Sequence, residues 1–242
     1  MSGEAQAQSV PYCGPAPGPE AVLSSWNTDP ALLMALAAGL IAGLTYSNRR
    51  GVFLLAWGMM VLAFVSPLCA LSSAFFAARA LHHIVILGVI APCLAIALPL
   101  RGVGAAPAFA VSLLALIAWH LPVVYSAAWN SAVVYWLMQG LLLLPAWGFW
   151  SAALAADRNE EGFAIAAMIG ALAGVMGLIG AVLTFSTQPL YSEHLTATLA
   201  FGVDPLSDQR AAGLLMWVPG LLPTGILAAL LARRTWARGL AA

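Results

Sequence analysis

The sequence contains no lysine and very little charge of either sign. Its nine cations are all arginine, nine acidic residues balance them, and charged residues make up 7% of the chain. A soluble domain is about a quarter charged, so a soluble fold of 242 residues could not cover itself with so few ionised groups. The balanced charge argues against a nucleic-acid partner, which demands a basic face. Three cysteines, Cys13, Cys69 and Cys93, are too few and too scattered for a disulfide framework or a CxxC zinc site. A Gly-rich phosphate loop, a GxSxG elbow and an HExxH pair are also missing, and the chain is read as a non-enzyme. Residues 1–30 show neither the cationic nor the apolar region of a secretory signal.

What is there instead is apolar: 62% hydrophobic residues and a mean hydropathy of +0.94. A helix crosses the hydrocarbon core with about 20 apolar residues, and about 17 still suffice. Seven segments qualify: about 30–47, 52–69, 76–99, 106–127, 132–155, 162–187 and 209–234. The expected fold is an all-α polytopic bundle of seven transmembrane helices over 30–234. A Pro/Gly-rich tail, 1–29, precedes it and a short tail, 235–242, follows. Asp29 before Pro30 marks the first helix start, because the carboxylate caps free N–H groups and proline suits the first helical position.

The arginines orient the bundle. With the N-terminus outside, Arg49, Arg50, Arg101, Arg158, Arg233, Arg234 and Arg238 are cytoplasmic and only Arg79 and Arg210 are outside. The reverse orientation inverts that ratio, so the positive-inside rule selects N-out and C-in. Asp157, Arg158, Glu160 and Glu161 then form a cytoplasmic turn. The longest loop, about 188–208, lies outside and carries Tyr191, Glu193, His194, Asp204 and Asp208. The sixth helix bears a stripe of small residues, Gly170, Gly174, Gly177, Ala181 and Thr184, suited to close helix packing.

Ionisable residues within a span are costly and usually functional. Arg79, His82 and His83 fall in about the first two turns of the third helix, and His120 about two turns before the outer end of the fourth. In the seventh, Gln209, Gly213, Met216 and Gly220 form one stripe with Trp217 beside it. At 1.5 Å per residue, His83, His120 and Met216 each lie roughly 10 Å below the outer surface. Imidazole and thioether groups suit copper, Met favouring Cu(I). Equally, a lone intramembrane His can lock two helices through a backbone carbonyl. His82 and His83 are about 100° apart on the helix, so only one can face a shared centre and the other stands behind it. His82 or His83 paired with His120 could alternatively hold one haem b. Cys13 and Cys69 both fall outside, which permits a disulfide or a thiolate contact to copper; Cys93 reads as packing.

Several segments carry a resemblance: SPLCALSSAFFAARALHHIVILGVIAPCLAIALP (66–99), WHLPVVY (119–125) and DQRAAGLLMWVPG (208–220), with WNTDP (26–30) and QPLY (188–191). In these the chain resembles the cytochrome c oxidase assembly factors of the CtaG type, relatives of copper-resistance membrane proteins. The resemblance implies a multi-span protein of the bacterial inner (plasma) membrane. Such a protein helps mature a haem–copper cytochrome c oxidase from the outer side, by delivering copper or stabilising the immature enzyme. Oxidase subunits and the lipid bilayer are its implied partners. His83 takes the place of the family histidine ahead of an apolar run and Ala-Pro (here Ala91, Pro92), His82 stands where the family often has Gln, and His120 belongs to the Trp-His-x-Pro motif.

One departure stands out. The fifth helix of the family usually carries histidines, and here the segment VVYWLMQGLLLL offers Tyr135, Met138 and Gln139. If those histidines bind metal in relatives, this chain has lost part of the site, with Met138 as a changed ligand or a metal-free scaffold as the outcomes. The expected metal ligands are His83, His120, His194 and Met216, with His82 behind them. Arg79, Asp208, Gln209 and Trp217 are further functional polar positions. The alternatives are a metal-free accessory subunit and a haem b-binding electron-transfer subunit. Transmembrane copper transport lacks support, because the cytoplasmic half of the spans has only isolated Cys93 and Met168.

Overall fold

Proline and serine punctuate the helices more than the hydropathy pattern suggests. The structure, a computed structural model, describes residues 10–155 and 161–220, with the isolated helical positions Gly225, Ala229, Arg233 and Trp236. All regular structure among the described residues is helical. Helix α1 (Pro30–Tyr46) starts as expected, the Asp29 carboxylate accepting from the Ala31 N–H with Pro30 in first position. Its end is tied by Ser47, whose hydroxyl donates to the Ala97 carbonyl at 2.9 Å. Helix α2 (Arg50–Phe64) packs back on α1 so closely that a Cβ at Gly43 would sit 1.8 Å from the Phe53 ring.

Two of the expected spans are broken. After α2 the chain bends by 44° into α3 (Pro67–Ala74), because Pro67 has no N–H to continue the ladder and Ser66 caps the new helix through Leu68 N. The segment 106–127 divides into α5 (Ala105–Trp119) and α6 (Pro122–Asn130), bent by 83°. Pro122 pushes Leu121 into an extended conformation, φ −76° and ψ 124°. His120 therefore caps the end of α5 rather than sitting two turns inside a straight helix, which corrects its expected placement.

Between these lies α4 (Phe76–Ala97), unbroken but containing a π-turn at Ile86–Ile90. The turn immediately precedes Pro92, which cannot bond back to Gly88, so the ladder widens there. Helices α7 (Ala132–Ala155), α8 (Glu161–Phe185) and α9 (Pro205–Trp217) complete the described bundle. The segment 188–208 folds into two 3₁₀ turns, Ser192–His194 and Ala197–Phe201, and α9 begins at Pro205, so Asp208 belongs to a helix rather than to the loop.

Helix α4 is central, packed against α2, α3, α7 and α9, while α5 lies on α7 and α9 on α8. The close α8–α9 approach runs through Gly180 and Gly213: a Cβ on Gly213 would come within 2.5 Å of the Gly180 carbonyl. Gly170 and Gly174, expected in that seam, have open space beside them. Three helices, Phe76–Ala97, Ala132–Ala155 and Gly162–Phe185, are long and apolar enough to cross a membrane, and five spans result if each bent pair counts as one. Helix α1 is apolar but has 17 residues. Of the seven expected spans the structure thus supports three to five. Residues 1–9, the turn residues Asp157, Arg158 and Glu160, and most of 221–242, including Arg234 and Arg238, lie outside the described residues.

Candidate functional site

The site begins with how α4 is held. Its first N–H groups, on Phe76 and Ala77, are received by the Asp208 carboxylate from α9, at 2.6 and 3.2 Å. An acidic group is doubly suited there, satisfying orphan donors and complementing the positive end of the helix dipole. This cross-helix cap fixes the turns of α4 that carry Arg79, His82 and His83, all buried.

His82 and His83 diverge as their spacing requires. His82 is fully buried, its ring edge-on to Phe64 of α2 at 4.9 Å between centroids. The Ala63 backbone is the polar group beside its ring, outside full hydrogen-bond geometry. His83 turns toward α5, where the Trp119 indole lies 5.0 Å from it and donates its N–H to Nε2. The His120 ring is 6.2 Å from His83, and His82 is 5.8 Å from His83. Nδ1 of His120 lies 2.8 Å from the Leu116 carbonyl. A carbonyl only accepts, so Nδ1 carries the proton and Nε2 keeps its lone pair. By the same reasoning Nε2 of His83 is the acceptor, and the lone pair a metal would need is engaged by Trp119.

The structure does not bring His194 or Met216 into this group. His194 donates from Nδ1 to the Ala74 carbonyl at 3.2 Å and accepts at Nε2 from the Tyr125 hydroxyl at 2.7 Å. Both nitrogens are thus in use, and burial lowers its pKa to about 4. Met216 packs in an apolar cluster with Phe76, Ala80, Tyr125, Leu183, Tyr191 and Ala212. Gln209 ties the turn after α8, accepting from the Leu190 N–H at 2.6 Å and donating to the Leu183 carbonyl at 3.2 Å. Trp217 donates to the Gly177 carbonyl. His194 and Met216 thus brace the start of α4, while Gln209 and Trp217 tie α9 to α8 and the turn after it.

Arg79 occupies an aromatic chamber. Its guanidinium carbon is 5.5 Å from the centroid of the Tyr135 ring, and with Pro11, Trp119, Tyr125, Ala128, Trp129 and Tyr135 it lines one small cavity. The N-terminal segment closes this chamber. Cys13 forms a disulfide with Cys69 of α3, which removes the thiolate alternative for copper. Tyr12 stacks on Tyr135 at 4.9 Å and donates to Asp29 at 2.5 Å, which holds the Asp29 carboxyl below its ordinary range.

Trp119 and Tyr125 are partners that sequence reasoning passed over, and Tyr135 and Tyr191 are ones it named without a partner. Tyr191 stacks on Phe76 at 4.0 Å and donates to the His120 carbonyl at 2.9 Å. Three of them lie inside the motifs WHLPVVY and QPLY, which is the signal that could have drawn attention to them. Among the described residues there is no group of three or more His, Cys, Asp or Glu that could hold a metal ion. Gln139, where relatives were expected to have imidazole nearby, is buried with both amide atoms unpartnered.

A family model described as cytochrome c oxidase caa3 assembly factor matches residues 103–238, over half of the chain. The match takes in His120, His194, Asp208, Gln209, Met216 and Trp217, and starts after Arg79, His82 and His83. No curated protein and no solved structure matches the chain.

Proposed function

The chain belongs to the cytochrome c oxidase caa3 assembly factor family, and from that premise we propose that it presents copper, as cargo, to an immature haem–copper oxidase in the bacterial plasma membrane. The observation that carries this reading is the approach of His83 to His120, 6.2 Å between ring centroids, at the end of the bundle where α4 starts and α5 ends, with His82 behind them. Each metal–nitrogen bond spans about 2 Å, so neighbouring rings at this spacing can share one ion. His120 offers Nε2 directly, and His83 joins once Nε2 exchanges Trp119 for the metal. Imidazole is a suitable ligand for copper. His194 and Met216 stand outside this pair, and His82, turned toward Phe64 of α2, stays behind it.

This reading places the site toward the outer face of a seven-span bundle with the N-terminus outside. The arginine distribution supports that orientation. The apolar helix α1, the two bent pairs and the hydrophobic stretch 221–232 are the segments that would extend three self-sufficient spans to seven. Deleting the protein is expected to leave an oxidase short of copper and of activity. Fully active, copper-replete oxidase in the deletion strain would refute the role.

A second reading, a metal-free brace on the oxidase, draws support from the lack of a three-residue His, Cys, Asp or Glu group among the described residues. It predicts that His83→Ala and His120→Ala still assemble oxidase normally. The haem b reading has less support, because Trp119 packs on His83 and holds the ring nitrogen that would face the iron.

A further inference from the structure

Arg79 is 3% exposed, carries a permanent charge, and forms no ion pair among the described residues. Its Nε and Nη1 atoms are buried without hydrogen-bond partners. The acidic groups at this end of the bundle are committed elsewhere: Asp208 to the Phe76 and Ala77 N–H groups, Glu193 to the Ser126 hydroxyl, and Asp29 to Tyr12 and Ala31. The Tyr135 ring helps the cation through its π face at 5.5 Å. The Tyr125 and Tyr135 hydroxyls also interact with the guanidinium, but these neutral groups do not balance its charge and leave Nε and Nη1 unmet. An uncompensated buried charge costs several kcal/mol, so the chamber as built from protein alone is incomplete.

The chamber also limits what can complete it. Its volume is about 10 Å³, close to the smallest space that holds one water. So small a space suits a single-atom anion better than a carboxylate or phosphate. The roof does not lift readily, because Pro11 is held by the Cys13–Cys69 disulfide and by Tyr12 stacked on Tyr135. A water would answer the hydrogen bonds but not the charge.

We propose that Arg79 binds a monatomic halide, chloride in the cell, in the chamber formed by Pro11, Trp119, Tyr125, Trp129 and Tyr135. The bound anion neutralises the guanidinium next to the histidine cluster and locks the N-terminal segment over it. This assignment is independent of whether copper binds.

The test is thermal unfolding of the full chain in detergent, in sodium chloride against sodium gluconate at equal ionic strength, for the wild type and Arg79→Gln. Binding to the folded form alone raises the unfolding temperature saturably, here by about 2–4 °C for each kcal/mol of linkage. The wild type is expected to show that rise and Arg79→Gln to show none. Crystals grown in bromide are expected to give an anomalous peak at the Arg79 guanidinium, which decides the matter on the wild type alone if Arg79→Gln does not fold. Superimposed chloride and gluconate curves, an equal chloride shift in Arg79→Gln, or the absence of the bromide peak would overturn the proposal and leave water as the occupant.

Discussion

The Trp119 indole N–H donates to Nε2 of His83, the atom through which that histidine would bind a metal. Indole and metal therefore compete for one lone pair. Trp119→Phe removes the competitor and strands a buried acceptor, at about 1–3 kcal/mol. The variant is expected to unfold at lower temperature while binding Cu(I) more tightly, as read by competition with a chromogenic chelator. Weaker binding would mean that Trp119 supports the site rather than guards it.

Asp208 receives two buried N–H groups of α4 from the far end of the sequence. Asp208→Ala leaves both unmet and is expected to cost about 1–3 kcal/mol of stability. Asp208→Asn keeps one acceptor oxygen and should recover part of that loss. Denaturant or thermal unfolding in detergent measures both.

His194 gives the fold a pH dependence of known sign. Burial lowers its folded-state pKa from the ordinary 6.5 to about 4. Between these values the unfolded chain binds a proton that the folded chain does not, so stability falls as pH drops through this window. Above 6.5 its contribution is constant, and below about 4 the loss is complete. His194→Gln is expected to flatten the unfolding-temperature profile between pH 6.5 and 4.

Cys13 and Cys69, 56 residues apart, tie the N-terminal segment to α3. Thiol titration of unfolded protein should find one group, Cys93, before reduction and three after. Losing a cross-link of this span removes about 2–5 kcal/mol, so reductant or Cys13→Ser is expected to lower the unfolding temperature markedly. Three thiols without reductant would rule the bridge out.

Much of this was legible because it is local. Asp29–Pro30 caps α1 as read, and the 100° divergence of His82 and His83 follows from helix geometry alone. The bends at Ser66–Pro67 and Leu121–Pro122 were written in the sequence too, since proline biases its predecessor toward extended backbone. Hydropathy averaging smooths over them, and His120 was misplaced for that reason. Long-range partners were not legible. Nothing near His194 announces that Tyr125 and the Ala74 carbonyl take both its nitrogens, and nothing near Asp208 announces the start of α4. An aromatic residue in a span reads as packing until its neighbour across the bundle is known, which hid Trp119 and Tyr125 as well.

The most direct measurement is Cu(I) stoichiometry and affinity of the purified full chain, compared with His82→Ala, His83→Ala, His120→Ala and His194→Gln. The account predicts one bound ion per chain, lost or much weakened in His83→Ala and His120→Ala, only modestly weaker in His82→Ala, and retained in His194→Gln. No bound copper in the wild type, or copper unaffected by His83→Ala and His120→Ala, would contradict it.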